Sequence, residues 1–124
     1  MIRPTLEQII ELHDMVVSAS GGSNGIRDIS LIDSAINTPF QAFGGFELYP
    51  SIEEKAARLA YNLTMNHAFF DGNKRIGAMA LVVFLEANKK PLHYKPQEII
   101  DLFLSVASKQ KGYNELLEWV KEHI

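Results

Sequence analysis

The chain has 124 residues, the size of one ordinary domain, and 47% of them are apolar, enough to bury a core and to set disorder aside. Its net charge is −3 and its pI about 5.8, which argues against broad binding to nucleic acid or to an anionic membrane and leaves room for a local basic site. Cysteine is absent, so disulfides, thiolate metal sites and cysteine nucleophiles are excluded, in keeping with a reducing cytoplasm.

The opening residues "MIRPTLEQII" lack a basic stretch followed by an apolar one, so no signal peptide is expected and a cytoplasmic location is. Thr5 and Gln8 form a capping-box pattern after Pro4. Leu6, Ile9, Ile10, His13, Val16 and Val17 then keep helical spacing, predicting a helix over about 5–19. "SGGSNGIRD" (20–28) is a loop by its glycines. Arg27 and Asp28 could form a local ion pair or reach a site. A short second helix is expected over about 29–37, stopped by Pro39.

"PFQAFGGFELYP" (39–50) sets three Phe and one Tyr around a Gly-Gly pair, and reads as a two-stranded flap or an aromatic loop. Phe43, Phe46 and Tyr49 there could grip a peptide or simply pack. Ser51 and Glu54 make a second capping box, with a helix over about 52–66. A fourth helix should begin near Asn73. Its run Ile76–Leu85 would span roughly 15 Å, about half a bilayer core, and reads as a core helix. Ile76, Met79, Ala80, Val83 and Ala87 share one face, with Leu81, Phe84 and Leu85 elsewhere, which suggests a helix at the centre of a bundle. Two more helices follow, about 97–108 and 113–123. The expected fold is all-α: about six helices in one domain, 1–124, with a short β-hairpin-like flap.

The chemistry concentrates in "NHAFFDGNKRIGAM", 66–79. Where a helix begins, its first N–H groups lack partners and its dipole is positive. Gly72 allows a sharp turn and a close ligand, Asn73 can orient the turn, and Lys74 and Arg75 add charge. Together they make an anion site suited to phosphate. Asp71 has two readings. It could be an N-cap, or it could hold Mg²⁺ between itself and phosphate oxygens. His67, at the end of the third helix, could take a proton from an attacking hydroxyl, or be a core histidine. Phe69 and Phe70 read as plugs beneath the loop, and Arg75 could equally form a structural ion pair. His13 reads as core or as support for the site. His93 and His123 read as surface residues, and Trp119 as packing of the last helix. Base, metal ligand, anion nest and cations in one turn point to phosphoryl or nucleotidyl transfer.

"HAFFDGNKR" resembles the signature of Fic-domain proteins, and its lysine form resembles the death-on-curing (Doc) toxins of toxin–antitoxin systems. "LHDMVVSASGGSNGIRD", "LIDSAI", "FGGFELYPSIEEKAARLAYNLTMNHAFFDGNKR" and "LVVFLEAN" are similar to that family in order and spacing, over about residues 5–90. The resemblance implies a Fic-type helical bundle and a transferase that uses ATP and Mg²⁺ on a protein hydroxyl. His67 would be the general base and Asp71 the Mg²⁺ ligand. Gly72, Asn73, Lys74 and Arg75 would grip phosphates, and the 39–50 flap would hold a target segment by strand pairing. For Doc toxins the implied reaction is phosphorylation of a threonine of elongation factor Tu, which stops translation. Most other Fic proteins transfer AMP, and this stands as the alternative.

Three departures bear on that choice. Ala68 replaces the usual proline, a change of little consequence. Lys74 replaces a glycine, filling the space where α- and β-phosphates would lie, and the resemblance then implies a reversed nucleotide with its γ-phosphate near His67. Ala78 stands where the long Fic motif has a second, phosphate-gripping arginine. The last two favour kinase over adenylyltransferase. The Ser/Thr-x-x-x-Glu-Gly/Asn inhibitory motif of many Fic proteins is absent, which implies inhibition in trans by a small antitoxin. A non-catalytic module that binds nucleotide or a partner through the helix-four nest is a third reading, disfavoured because binding alone needs no base. A nucleic-acid-binding domain is disfavoured by the acidic balance.

Overall fold

The computed structural model describes residues 1–124. Six helices carry the architecture: α1 (Leu6–Ser20), α2 (Ile29–Asn37), α3 (Ile52–Met65), α4 (Asn73–Ala87), α5 (Pro96–Ala107) and α6 (Tyr113–Glu122). A two-stranded hairpin, β1 (Ala42–Phe43) and β2 (Phe46–Glu47), lies between α2 and α3. The expected all-α bundle with a flap is therefore the observed one.

Local chemistry starts the helices where the sequence says it should. Thr5 with Gln8 and Ser51 with Glu54 both form complete capping boxes, so two orphan donors are satisfied at each start. Asp28 caps α2 by accepting from the Ser30 N–H at 3.0 Å and the Ser30 hydroxyl at 2.5 Å. That hydroxyl is the main reason its carboxyl titrates below the usual range. Pro39 does not end α2 abruptly. A 3₁₀ turn, Thr38–Phe40, takes over with the proline in its first turn, where its missing N–H costs nothing.

The hub of the bundle is α3 rather than α4. Helices α2, α4, α5 and α6 all pack on α3, and its Ala56, Ala57 and Ala60 are buried, small enough to let neighbours close in. Gly77 of α4 faces this helix: a Cβ there would run into the Thr64 hydroxyl and sit 3.0 Å from the Ala60 carbonyl. The α4 face buried in the core is consequently Ile76, Gly77, Ala80, Leu81, Phe84 and Leu85. Met79 and Val83, expected on the core face, are 40% and 38% exposed. Apolar residues all round a helix do not reveal which side meets its neighbour; in the fold the contact falls at Gly77, where the missing side chain lets the backbones approach.

Other expectations are corrected at the ends of the chain. His123 is not a free surface residue. Its ring stacks on Trp119 with centroids 3.8 Å apart, and its Nε2 lies 3.3 Å from Glu98. Trp119 thus packs against a histidine as well as the core. His93 is exposed as expected. No helix is long and apolar enough to cross a membrane.

Candidate active site

Two loops build the site, one between α1 and α2 and one between α3 and α4. They lie antiparallel and share backbone hydrogen bonds. Ile26 bridges Phe69, the Phe70 N–H donates to the Gly25 carbonyl at 3.1 Å, and the Arg27 and Asp28 N–H groups donate to the Ala68 carbonyl at 2.9 and 3.0 Å. Extended pairing sends successive side chains to opposite sides. Phe69 is therefore buried at 1% exposure and Phe70 stands out at 66%. Only the first is the plug that the sequence suggested for both.

Below the loop lies His13 of α1, fully buried. Its ring stacks on Phe69 at 3.7 Å and 9°. Its Nε2 is 2.7 Å from the Asp71 carbonyl, which can only accept, so Nε2 carries the proton. His13 is core, as read from the sequence, and it fixes the backbone of Asp71. Gly72 follows with φ +77°, and a Cβ at that position would sit 3.2 Å from His13 Nε2 and 3.1 Å from Val17. Both the left-handed turn and the close approach demand glycine.

Asp71 is not the N-cap of α4. Gly72 holds that place, without a side-chain cap. The Asp71 carboxylate instead accepts from the Ser23 N–H at 3.2 Å and the Gly72 N–H at 2.8 Å, with Arg75 at 3.4 Å. The Ser23 N–H first, then the Gly72 N–H, hold its carboxyl below the usual carboxylate range, and the Arg75 charge pulls the same way. Asp71 is thus an ionised carboxylate, 48% exposed. No group of three His, Asp or Glu gathers to hold a free metal ion. Nucleotide-bound Mg²⁺ needs less, one or two carboxylates beside phosphate oxygens. Asp71 fits that role: ionised, open to solvent, and with a lone-pair site left over after its amide partners.

The consequence for α4 is direct. Its first backbone bond is from the Ile76 N–H to the Gly72 carbonyl at 2.9 Å, and the N–H groups of Asn73, Lys74 and Arg75 donate to no protein acceptor. The Asn73 side chain does not help them. Its Oδ1 accepts from the Phe69 N–H at 3.1 Å and its Nδ2 donates to the Phe69 carbonyl at 2.9 Å, which closes the loop on itself. Lys74 is half-buried and makes no ion pair. Arg75 is committed across the gap to the first loop: its Nη1 donates to the Ser20 hydroxyl at 2.5 Å and the Gly21 carbonyl at 2.6 Å. Ala78 lies one turn further on, beside Arg75 in an apolar groove between α1, α4 and α5.

His67 lies beyond the end of α3, which stops at Met65 with Asn66 as C-cap. Its φ is +53°, and its exposed ring has no hydrogen-bond partner. The flap divides its aromatics. Phe43 and Phe46 face each other across the hairpin and are 81% and 79% exposed. Gly44 and Gly45 turn it with φ +58° and +86°, the requirement of a two-residue primed turn. Tyr49 is instead drawn inward, its ring edge-on to Tyr113 at 5.8 Å and its face to the Arg58 guanidinium at 4.9 Å.

The sequence pattern groups His67 with Asp71–Arg75 and offers only Arg27 and Asp28 of the first loop as residues that could reach the site; it does not point to Ser20, Gly21, Gly22 or Ser23. Ser20, Gly21 and Ser23 bind Arg75 and Asp71, and a Cβ on Gly22 would collide with the Asp71 carboxylate. The Gly21-Gly22 pair is the available signal, since a glycine can break a helix or admit a close neighbour.

Comparison with known proteins gives the family. A family model described as the Fic/DOC family matches residues 3–85. The chain is 35% identical over 86 residues to "Toxin Doc" of Mycolicibacterium smegmatis, across 67% of this chain and 66% of that protein. It thus spans just under two thirds of that relative's length. It is 29% identical over 102 residues to "Protein kinase doc" of Escherichia phage P1, across 82% of this chain and 79% of that protein. The match includes both loops and α4 as far as Leu85, and the chain belongs to the Fic/Doc family.

Proposed function

We propose that this protein is a Doc-type toxin acting as a protein kinase, transferring the γ-phosphate of ATP to a threonine hydroxyl of elongation factor Tu and so inhibiting translation. The observation that carries the reading is the trio of unpartnered N–H groups at Asn73, Lys74 and Arg75, flanked by the unpaired Lys74 and the ionised Asp71. Phosphate oxygens are the natural acceptors for such a nest. Lys74 and the short Ala78 favour the reversed nucleotide over the AMP-transfer arrangement. The mycobacterial and phage relatives carry the names toxin and protein kinase.

In this reading His67 removes the proton of the target hydroxyl as its oxygen attacks the γ-phosphorus, and ADP leaves. Asp71 would hold Mg²⁺, which when bound neutralises phosphate charge. The α4 N–H groups and Lys74 hold the phosphates in place before and after the bond breaks. The imidazole is exposed and free of protein partners, so an incoming hydroxyl can reach it. The flap would align the target segment along a strand edge. A small antitoxin would silence the enzyme in trans by covering the apolar groove of Val16, Ala19, Met79 and Val82 that ends on Arg75. The reading takes residues 1–124 as one catalytic domain working in the cytoplasm.

The test is to incubate the protein with bacterial elongation factor Tu and Mg²⁺-ATP and weigh the product intact. One added phosphoryl group is expected. One added AMP would overturn the kinase direction and leave the same residues serving an adenylyltransferase. His67→Ala should cut transfer by roughly 10²- to 10⁴-fold while nucleotide binding persists; equal transfer by that variant would remove the base.

A further inference from the structure

His67 occupies a left-handed backbone conformation, φ +53°, uncommon for a residue with a Cβ and held only where its surroundings impose it. Nothing imposes it through the ring, which has no hydrogen-bond partner. The constraint must come through the peptide groups on either side. Three successive carbonyls, those of Asn66, His67 and Ala68, accept from Arg27, the last also from the Asp28 N–H. Arg27 Nε donates to the His67 carbonyl at 2.5 Å and its Nη2 to the Asn66 carbonyl at 3.3 Å. The Arg27 backbone N–H donates to the Ala68 carbonyl at 2.9 Å. The guanidinium also lies just past the end of α3, where the helix dipole places partial negative charge.

Geometry explains why arginine stands there. The planar fork spans two adjacent carbonyls with charge-assisted bonds; a lysine ammonium would be a single point charge on a flexible stem. Asp28, its neighbour, caps α2 and forms no ion pair with Arg27. We infer that Arg27 is a positioning residue: by fixing the peptide planes either side of His67 it sets the direction in which the imidazole leaves the loop. It does so without touching substrate or phosphate. The inference rests on the proposed role of His67 as base.

The experiment has one part that needs no substrate. In isotope-labelled protein the three-bond HN–Hα coupling and the Cβ shift of His67 report its φ. Both should move toward ordinary values in Arg27→Met, and less so in Arg27→Lys. Unchanged values in Arg27→Met would overturn the inference whatever the target proves to be. The second part measures transfer to elongation factor Tu. Arg27→Met should lower kcat about 10- to 100-fold, the scale of a small misplacement of a reacting group, with KM for ATP little changed. Arg27→Lys should recover part of the loss. In a His67→Ala background Arg27→Met should cost nothing more, because its effect passes through His67. A raised KM for ATP with unchanged kcat would make Arg27 a phosphate ligand and overturn positioning. Reduced transfer by His67→Ala beside full kcat in Arg27→Met would remove this inference alone. Equal transfer by the wild type and His67→Ala would remove the base reading itself. Should Arg27→Met fail to fold, Arg27→Lys carries both measurements.

Discussion

The loop that carries His67 and the flap that carries Phe43 are both short, glycine-containing connections, and they are held in opposite ways. The His67 loop is braced on every side: paired to a second loop, stacked on His13, and closed by Asn73. The flap is open. All four of its strand residues are exposed, and it is tied at its base by one buried lysine. Lys55 of α3 is 1% exposed, and its ammonium donates to Glu47 at 3.0 Å and to the Tyr49 carbonyl. Tyr49 is clamped from the other side by Arg58 and Tyr113. Burial pushes the Tyr113 hydroxyl up to about 12, and it donates to the Glu54 carbonyl at 3.0 Å. On the proposed function the His67 loop must keep reacting atoms fixed relative to one another, whereas a flap that received a peptide along its strand edge would need only its base fixed. The tip can adapt.

Breaking the braced side should have the largest effect. Gly22 has φ +115° and stands against the Asp71 carboxylate. Gly22→Ala should both strain the backbone and push the carboxylate off the Ser23 amide. A loss of about 1–3 kcal/mol in denaturant unfolding is expected, with Mg²⁺-dependent nucleotide affinity falling alongside. Unchanged nucleotide affinity would mean that the first loop does not help set Asp71.

The flap base comes next. Lys55→Met keeps the volume of the side chain and removes its charge. Glu47, at 52% exposure, can return to water, so the stability loss should be modest, about 1–2 kcal/mol for the unmet Tyr49 carbonyl. Hydrogen exchange sharpens the test: amides of 42–49 should exchange faster while the bonded amides of the His67 loop, those of Phe69, Phe70 and Ile76, stay protected. Equal loosening of both regions would show that the two are one mechanical unit.

Smaller still is the effect of the flap tip on folding. Phe43→Ala should change stability by no more than about 0.5 kcal/mol, as for surface positions generally, and should raise KM for the protein target. A large loss of stability would place Phe43 in a packed role that its 81% exposure denies.

Acid should have the mildest effect of all near neutrality. Asp71, Asp28 and Glu98 all titrate below their ordinary values of 3.8, 3.8 and 4.5 in the folded chain. The unfolded chain therefore takes up protons first as pH falls. The stability these groups supply is fully present above those ordinary values and is lost as pH drops through the lowered ones. Unfolding free energy should be flat with respect to these carboxylates down to about pH 5 and decline below it. Asp71→Asn should show a shallower decline; an identical slope would mean that the Ser23 and Gly72 amides do not favour the ionised form.

Much of the molecule was fixed by local chemistry and could be read from the chain alone. Capping boxes at Thr5 and Ser51 start helices without tertiary help, because each cap bonds its own backbone within three residues. The Gly-Gly pair turns the hairpin, since few other residues tolerate two successive positive φ angles. "HAFFDGNKR" kept His67 and the α4 start together because they are covalently close. Tertiary structure alone decided which side of α4 is buried, because that depends on where α3 meets Gly77. It also decided that Asp71 serves its carboxylate to a distant loop and leaves three amides free, and that Arg27 turns toward His67. Those bonds join residues some 40 to 58 positions apart, and no periodicity or spacing in a sequence encodes a pairing between loops.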